Sequence, residues 1–272
     1  MAHVFTTLRH SVERLREAEY FLVRLPMTHG LEFQANLNAF LSASRSVTFL
    51  LQSSLAHVPG FEDWYRLRRQ EMSVDPAMRF FLDLRNISQK QGPVSYVGSG
   101  QPDGTSTHRF VAGQRPVPPE LVCRDIAECC AEHVMKLARL LHSYFVAFPV
   151  HACPVHAFTE EGMITLGYTL ADVEEALGLP DGYISAAAPP PIGEALRYLQ
   201  RELEPLNVAD LERLSVGEFQ RDCETVKFPK ASGGHLVDDV AAIIELSQGS
   251  VTHPRNVFMA AVMKRIDDMD PS

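Results

Sequence analysis

The chain has 272 residues, 46% hydrophobic and 22% charged, with a net charge of −9 at neutral pH. This is a soluble globular composition, and no apolar run is long enough to span a bilayer, so no membrane contact is expected. Five irregularly spaced cysteines argue against a secreted disulfide scaffold or a disulfide-linked partner, and place the chain in a reducing cytoplasm.

The charge is uneven. Residues 1–93 carry 11 Lys/Arg against 9 Asp/Glu, and residues 94–272 carry 14 against 25. An acidic second half disfavours broad nucleic-acid binding, because phosphate contacts supply most of that affinity. Any such contact belongs to the first part of the chain.

From Val4 to Leu25 apolar residues recur at helical spacing until Pro26 stops them. Leu31 to Ala56 repeats the pattern through Phe33, Leu37, Phe40, Leu41, Val47, Leu51 and Leu55, and Pro59-Gly60 ends it. A shorter helix, Phe61 to Met72, carries Trp64 and the basic group Arg66, Arg68 and Arg69. Asp75-Pro76 reads as an N-cap with proline in the first turn. The helix it opens directs Ala77, Phe80, Phe81, Leu84 and Ile87 to one face and stops at Gly92-Pro93. Between residues 93 and 119 the short runs VSYV and HRFV flank a turn-rich stretch and predict a β-hairpin or flap. A long helix is expected from about Glu120 to Phe148. Further on, GMITLG (162–167) suggests a strand, TLADVEEAL a short helix, and AAAPPP (186–191) a linker. Helical patterns resume at 193–203, 236–246 and 257–267. The expected fold is mainly α: an N-terminal antiparallel bundle of four to five helices over residues 1–150, with an inserted hairpin, then a smaller mixed α/β region over 151–272.

The segments LNAFLSASRSVTFLLQ, FEDWY and RFFLDLRNISQKQGP resemble a bacterial branch of the HEPN superfamily. That signature is an arginine, often followed by a polar residue, and a histidine about four to six residues later. Arg85-Asn86 matches its first half, but Lys90 stands where the histidine belongs. The resemblance implies a helical bundle, a homodimer formed through it, and, in active members, metal-independent RNA cleavage. A histidine titrates near pH 6.5. A lysine would need its pKa lowered by roughly three units, about 4 kcal/mol, to act as a base near pH 7. The resemblance therefore implies a non-catalytic interaction protein touching RNA or nucleotide through Arg85, with a toxin- or defence-type endoribonuclease using Arg85, Asn86 and Lys90 as the alternative. The bland reading is structural: Lys90 complements the helix dipole and Arg85 pairs with Asp83, Asp75 or another carboxylate.

Other anion-binding candidates are Arg45, Arg66 and Arg69. Arg45, midway along its helix, either pairs with Asp83 or joins Arg85 in a basic cleft. Trp64 beside Arg66 and Arg69 is either a core anchor or a base-stacking platform. His151, Cys153 and His156, with Cys129, Cys130 and His133, hold enough soft ligands for zinc without a familiar spacing, and make a zinc-binding protein the weaker alternative. No cofactor is expected: phosphate-loop, dinucleotide, nucleophile-elbow and HExxH motifs are missing.

Overall fold

Asp75 and Pro76 start a helix as the sequence predicts. The Asp75 carboxylate accepts a hydrogen bond of 2.9 Å from the Met78 N–H, and the helix runs from Pro76 to Lys90. This is seen in a computed structural model that describes residues 8–100, 106–113, 115–176, 179, 182–183, 191–201 and 206–220. All of them lie within the unit Met1–Arg221. The expected helices at 236–246 and 257–267 and nearly all of the 186–191 linker fall outside the described residues.

The protein is mainly helical, with one antiparallel two-stranded sheet. Helix α1 spans Arg9–Leu22 and a 3-10 turn holds Pro26. Helices α2 (Gly30–Leu55), α3 (Phe61–Val74) and α4 (Pro76–Lys90) follow. Strands β1 (Tyr96–Gly100) and β2 (Ser106–Phe110) form the hairpin, and α5 (Ile126–Ala147) comes next. Helix α1 packs along α2, and α5 touches α1, α2, α4 and β2. One apolar core joins these elements through Leu15, Phe33, Leu37, Phe81, Leu137 and Tyr144.

Helix α5 begins at Ile126, later than the expected start near Glu120. The Asp125 side chain accepts the Ala127 N–H at 2.7 Å, capping α5, and the His108 N–H of β2 at 3.0 Å. A carboxylate bonding nearby backbone competes with continued helix, so residues 118–124 form turns, with Cys123 at a left-handed φ of 64°. In the hairpin, Gly98 faces His108. A Cβ at Gly98 would lie 2.5 Å from the His108 ring. Glycine there lets that ring stack on Phe33 of α2, with centroids 3.5 Å apart.

Beyond residue 148 the described elements are helices: α6 (Pro149–Ala152), α7 (Pro154–Ala157), α8 (Glu160–Leu166), α9 (Leu170–Ala176), α10 (Ile192–Arg201) and α11 (Val208–Ser215). The strand expected at GMITLG is instead most of α8. Thr159 caps it by accepting the Gly162 N–H at 3.0 Å, two glutamates fill its first turn, and Gly167 ends it at φ 66°. Two caps and a favourable dipole outweigh the β preference of Ile164, which points to solvent. Phe158, Met163, Val173 and Leu196 make a second, small core.

Helix α11 returns to the main core through Leu211 and Leu214, packing on α5. Its Arg213 forks onto both oxygens of the buried Glu19 of α1, and the Gln220 N–H donates to the same carboxylate at 2.8 Å. Breaking a buried pair from one side strands the other charge. Arg213→Met is expected to lower the unfolding free energy by about 3–5 kcal/mol in urea titrations. Arg14→Met, which breaks the exposed Arg14–Glu17 pair, should cost about 0–1 kcal/mol. Asp125→Ala should cost about 1 kcal/mol through the cap and speed hydrogen exchange at the His108 amide selectively.

Candidate functional site

Helices α2, α3, α4 and α5 border a common space, the first three with polar or basic residues among those that face it. On α2, Arg45, Thr48 and Gln52 follow one another at three- and four-residue steps, as do Tyr65, Arg69 and Met72 on α3. Helix α4 contributes Met78, Arg79, Phe81 and Leu82, and α5 contributes His133 and Leu137. Together they enclose a cavity of about 550 Å³. Buried Leu41, Tyr65, Phe81, His133 and Leu137 form its inner wall, while exposed Gln52, Arg69 and Arg79 border the mouth.

The cavity is basic. Arg45, Arg69 and Arg79 line it and no carboxylate does. Arg45 Nη1 donates to Thr48 Oγ1 at 2.7 Å. The expected Arg45–Asp83 pair does not form: Asp83 faces the other way and lies 3.4 Å from Arg115 Nε. The nearest helix-capping acid, Asp75, is claimed by Lys136 of α5. Burial works to raise the Asp75 pKa, yet the Lys136 ammonium and the Met78 N–H more than offset it and hold it below the usual carboxylate range. Asp75 thus stays ionised and paired. Burial raises the Tyr65 phenol's pKa against the pull of Arg45 and Arg69.

His133 sits on the inner wall at 8% exposure, its ring flat on Phe81 with centroids 4.3 Å apart. Its Nδ1 is buried without a hydrogen-bond partner. Burial, reinforced by the Lys136 charge, drives its pKa down to about 3, so the ring is neutral.

The other sequence candidates are scattered. Arg85 does not line the cavity; its Nη1 donates to Asn86 Oδ1 at 3.3 Å, and its Nε is buried and unpartnered. None of the carboxylates expected for it pairs with it. Helix α4 stays regular through Lys90, so Arg85 and Lys90 point about 140° apart. Arg66 pairs with Asp63 at 3.2 Å on the surface. Trp64 packs edge-on against Tyr144 and Phe148, as a core anchor rather than a stacking platform. His156 is exposed beside Phe145, His151 is half-buried and Cys153 is buried. Burial pushes the Cys129 thiol up to about 11 and Cys130 well above its ordinary value, the wrong direction for thiolate ligands. Among the described residues no group of three or more His, Cys, Asp and Glu converges to hold a metal.

Sequence reasoning passed over Arg79 and sorted His133 with the thiols. The available signal was spacing: Arg79 follows the cap by four residues, and His133 lies on the apolar stripe of α5, four residues before Leu137. A neutral buried His133 makes stability depend on acid. The stability is whole above about pH 6.5 and lost as pH falls toward 3, because the unfolded chain takes up a proton that the folded chain refuses. The urea midpoint should therefore drop between about pH 7 and pH 5, and His133→Leu should flatten that slope. His108 and His151, both lowered chiefly by burial, contribute to the slope that remains.

Residues 27–99 match a family model described as Bacteriophage lambda protein ea47. Protein ea47 of Escherichia phage lambda is 36% identical to the chain over 61 residues, which are 22% of this chain and 15% of the phage protein. No solved structure matches. The family match spans α2, α3, α4 and all but the last residue of β1; it contains Arg45, Arg69 and Arg79 and leaves out His133.

Proposed function

We propose that the chain is a non-catalytic helical interaction protein of HEPN-like type, an antiparallel bundle that grips phosphate groups of RNA or nucleotide in the pocket between α2, α3, α4 and α5. The observation that carries this reading is the convergence of Arg45, Arg69 and Arg79 on one cavity with no carboxylate among its lining residues. Clustered guanidinium groups without carboxylate partners are matched to phosphate or carboxylate oxygens. The contact moves from Arg85, where the sequence resemblance put it, to three arginines on three helices. Cleavage has little support, since Lys90 diverges from Arg85 and the pocket's histidine is buried, held neutral by its surroundings and far below the pKa a base near pH 7 needs. A homodimer formed through the bundle is part of the proposal.

Fluorescence anisotropy with a short single-stranded RNA at low salt, in EDTA, tests the reading. The expected result is salt-sensitive binding that falls roughly tenfold or more in Arg45→Met/Arg69→Met, with a shallower salt slope. Arg85→Ala should bind like the parent, and the RNA should remain intact. Cleavage that vanishes in Arg85→Ala would replace this reading with the ribonuclease one, and binding untouched by the arginine pair would remove the pocket from it. Light scattering at micromolar concentration should give twice the chain mass; a single-chain mass ends the dimer.

A further inference from the structure

We propose that this pocket is built for a compact ligand with an anionic head and a ring-sized apolar body, the head on Arg45, Arg69 and Arg79 and the body against Phe81 and His133. This rests on the anion-binding reading and adds what the inner wall requires. Phosphates strung along a strand would engage only the bordering arginines and leave the interior unfilled. That interior is large: about 550 Å³ falls in the range of pockets that enclose small organic ligands. Its wall is apolar where it is deepest, with Leu41 and Leu137 almost fully buried, and such surface gains from an apolar occupant.

His133 extends the aromatic part of that wall. Its ring lines the cavity, is more than nine-tenths buried, and stacks on Phe81 with centroids 4.3 Å apart. The polarity therefore runs from a cationic mouth to an apolar, aromatic floor, which is the layout of a site for an amphipathic monoester rather than for a bare ion.

Calorimetry on the full chain with four probes tests this: inorganic phosphate, phenyl phosphate, 1-naphthyl phosphate and 1-naphthol. The expected order has 1-naphthyl phosphate about tenfold or more tighter than inorganic phosphate, phenyl phosphate between them, and naphthol weakest. Arg45→Met and Arg69→Met should each weaken 1-naphthyl phosphate roughly tenfold. Met78→Trp, which narrows the cavity without touching a charge, should weaken naphthyl phosphate by a larger factor than inorganic phosphate; circular dichroism confirms that each variant is folded. Equal affinity for inorganic and naphthyl phosphate overturns the apolar-body inference and leaves the anion reading standing. Arginine-dependent RNA binding that 1-naphthyl phosphate fails to compete does the same. If neither RNA nor any phosphate probe binds, both fall.

Discussion

The Asp75–Lys136 ion pair sets the geometry on which the cavity depends. Asp75 stands at the corner where α3 ends and α4 begins, and its carboxylate both caps α4 and meets the ammonium of α5. One side chain thereby fixes the α3–α4 corner to the central helix. That corner determines where Arg69 and Arg79 stand relative to His133. It also has an electrostatic result. Asp75 is already neutralised by a lysine, and no carboxylate is among the residues that line the cavity beside the three arginines. A chain of net charge −9 keeps a positive hollow by spending its local carboxylates elsewhere: Asp63 on Arg66, Glu71 on Arg68, and Asp83 on Arg115.

What the sequence made legible followed the range of the forces involved. Helices α2, α3 and α4 were readable because their signals, apolar spacing, Asp75-Pro76 and Gly92-Pro93, act within a few residues. The hairpin was readable from its turn-rich centre. The α5 start was misplaced because its cap, Asp125, is shared with β2, seventeen residues away in sequence. The strand expected at 162–167 failed for a local reason. The run GMITLG suggested a strand, and the capping Thr159 outside it decided otherwise.

The candidate site was half legible. Arg45 and Arg69 were singled out, but each was given the wrong neighbour, Asp83 or Arg85 for the first and Trp64 for the second. Which side chains share a hollow depends on how helices rotate about their own axes when they pack. That rotation is fixed by contacts such as Phe81 on His133, between residues 52 positions apart in the chain. Arg85-Asn86 drew attention as a motif because short motifs are visible without any fold. In the folded chain its guanidinium bonds to its own neighbour, while the cationic cluster takes only Arg79 from that helix and draws Arg45 and Arg69 from two others.

The Glu19–Arg213 clamp joins residues 194 positions apart, and that separation orders events in time. During synthesis α1 and α2 can meet as soon as both have left the ribosome, since they are adjacent in the chain. Glu19 then waits, hydrated, while the 158 residues from the end of α2 to Arg213 are added. Its burial is a late step, coupled to the arrival of α11 on α5. Loop closure over such a distance is slow to form and contributes little to the folding transition state. The clamp therefore acts chiefly on the rate at which the finished molecule opens, as a latch on lifetime more than a guide to folding.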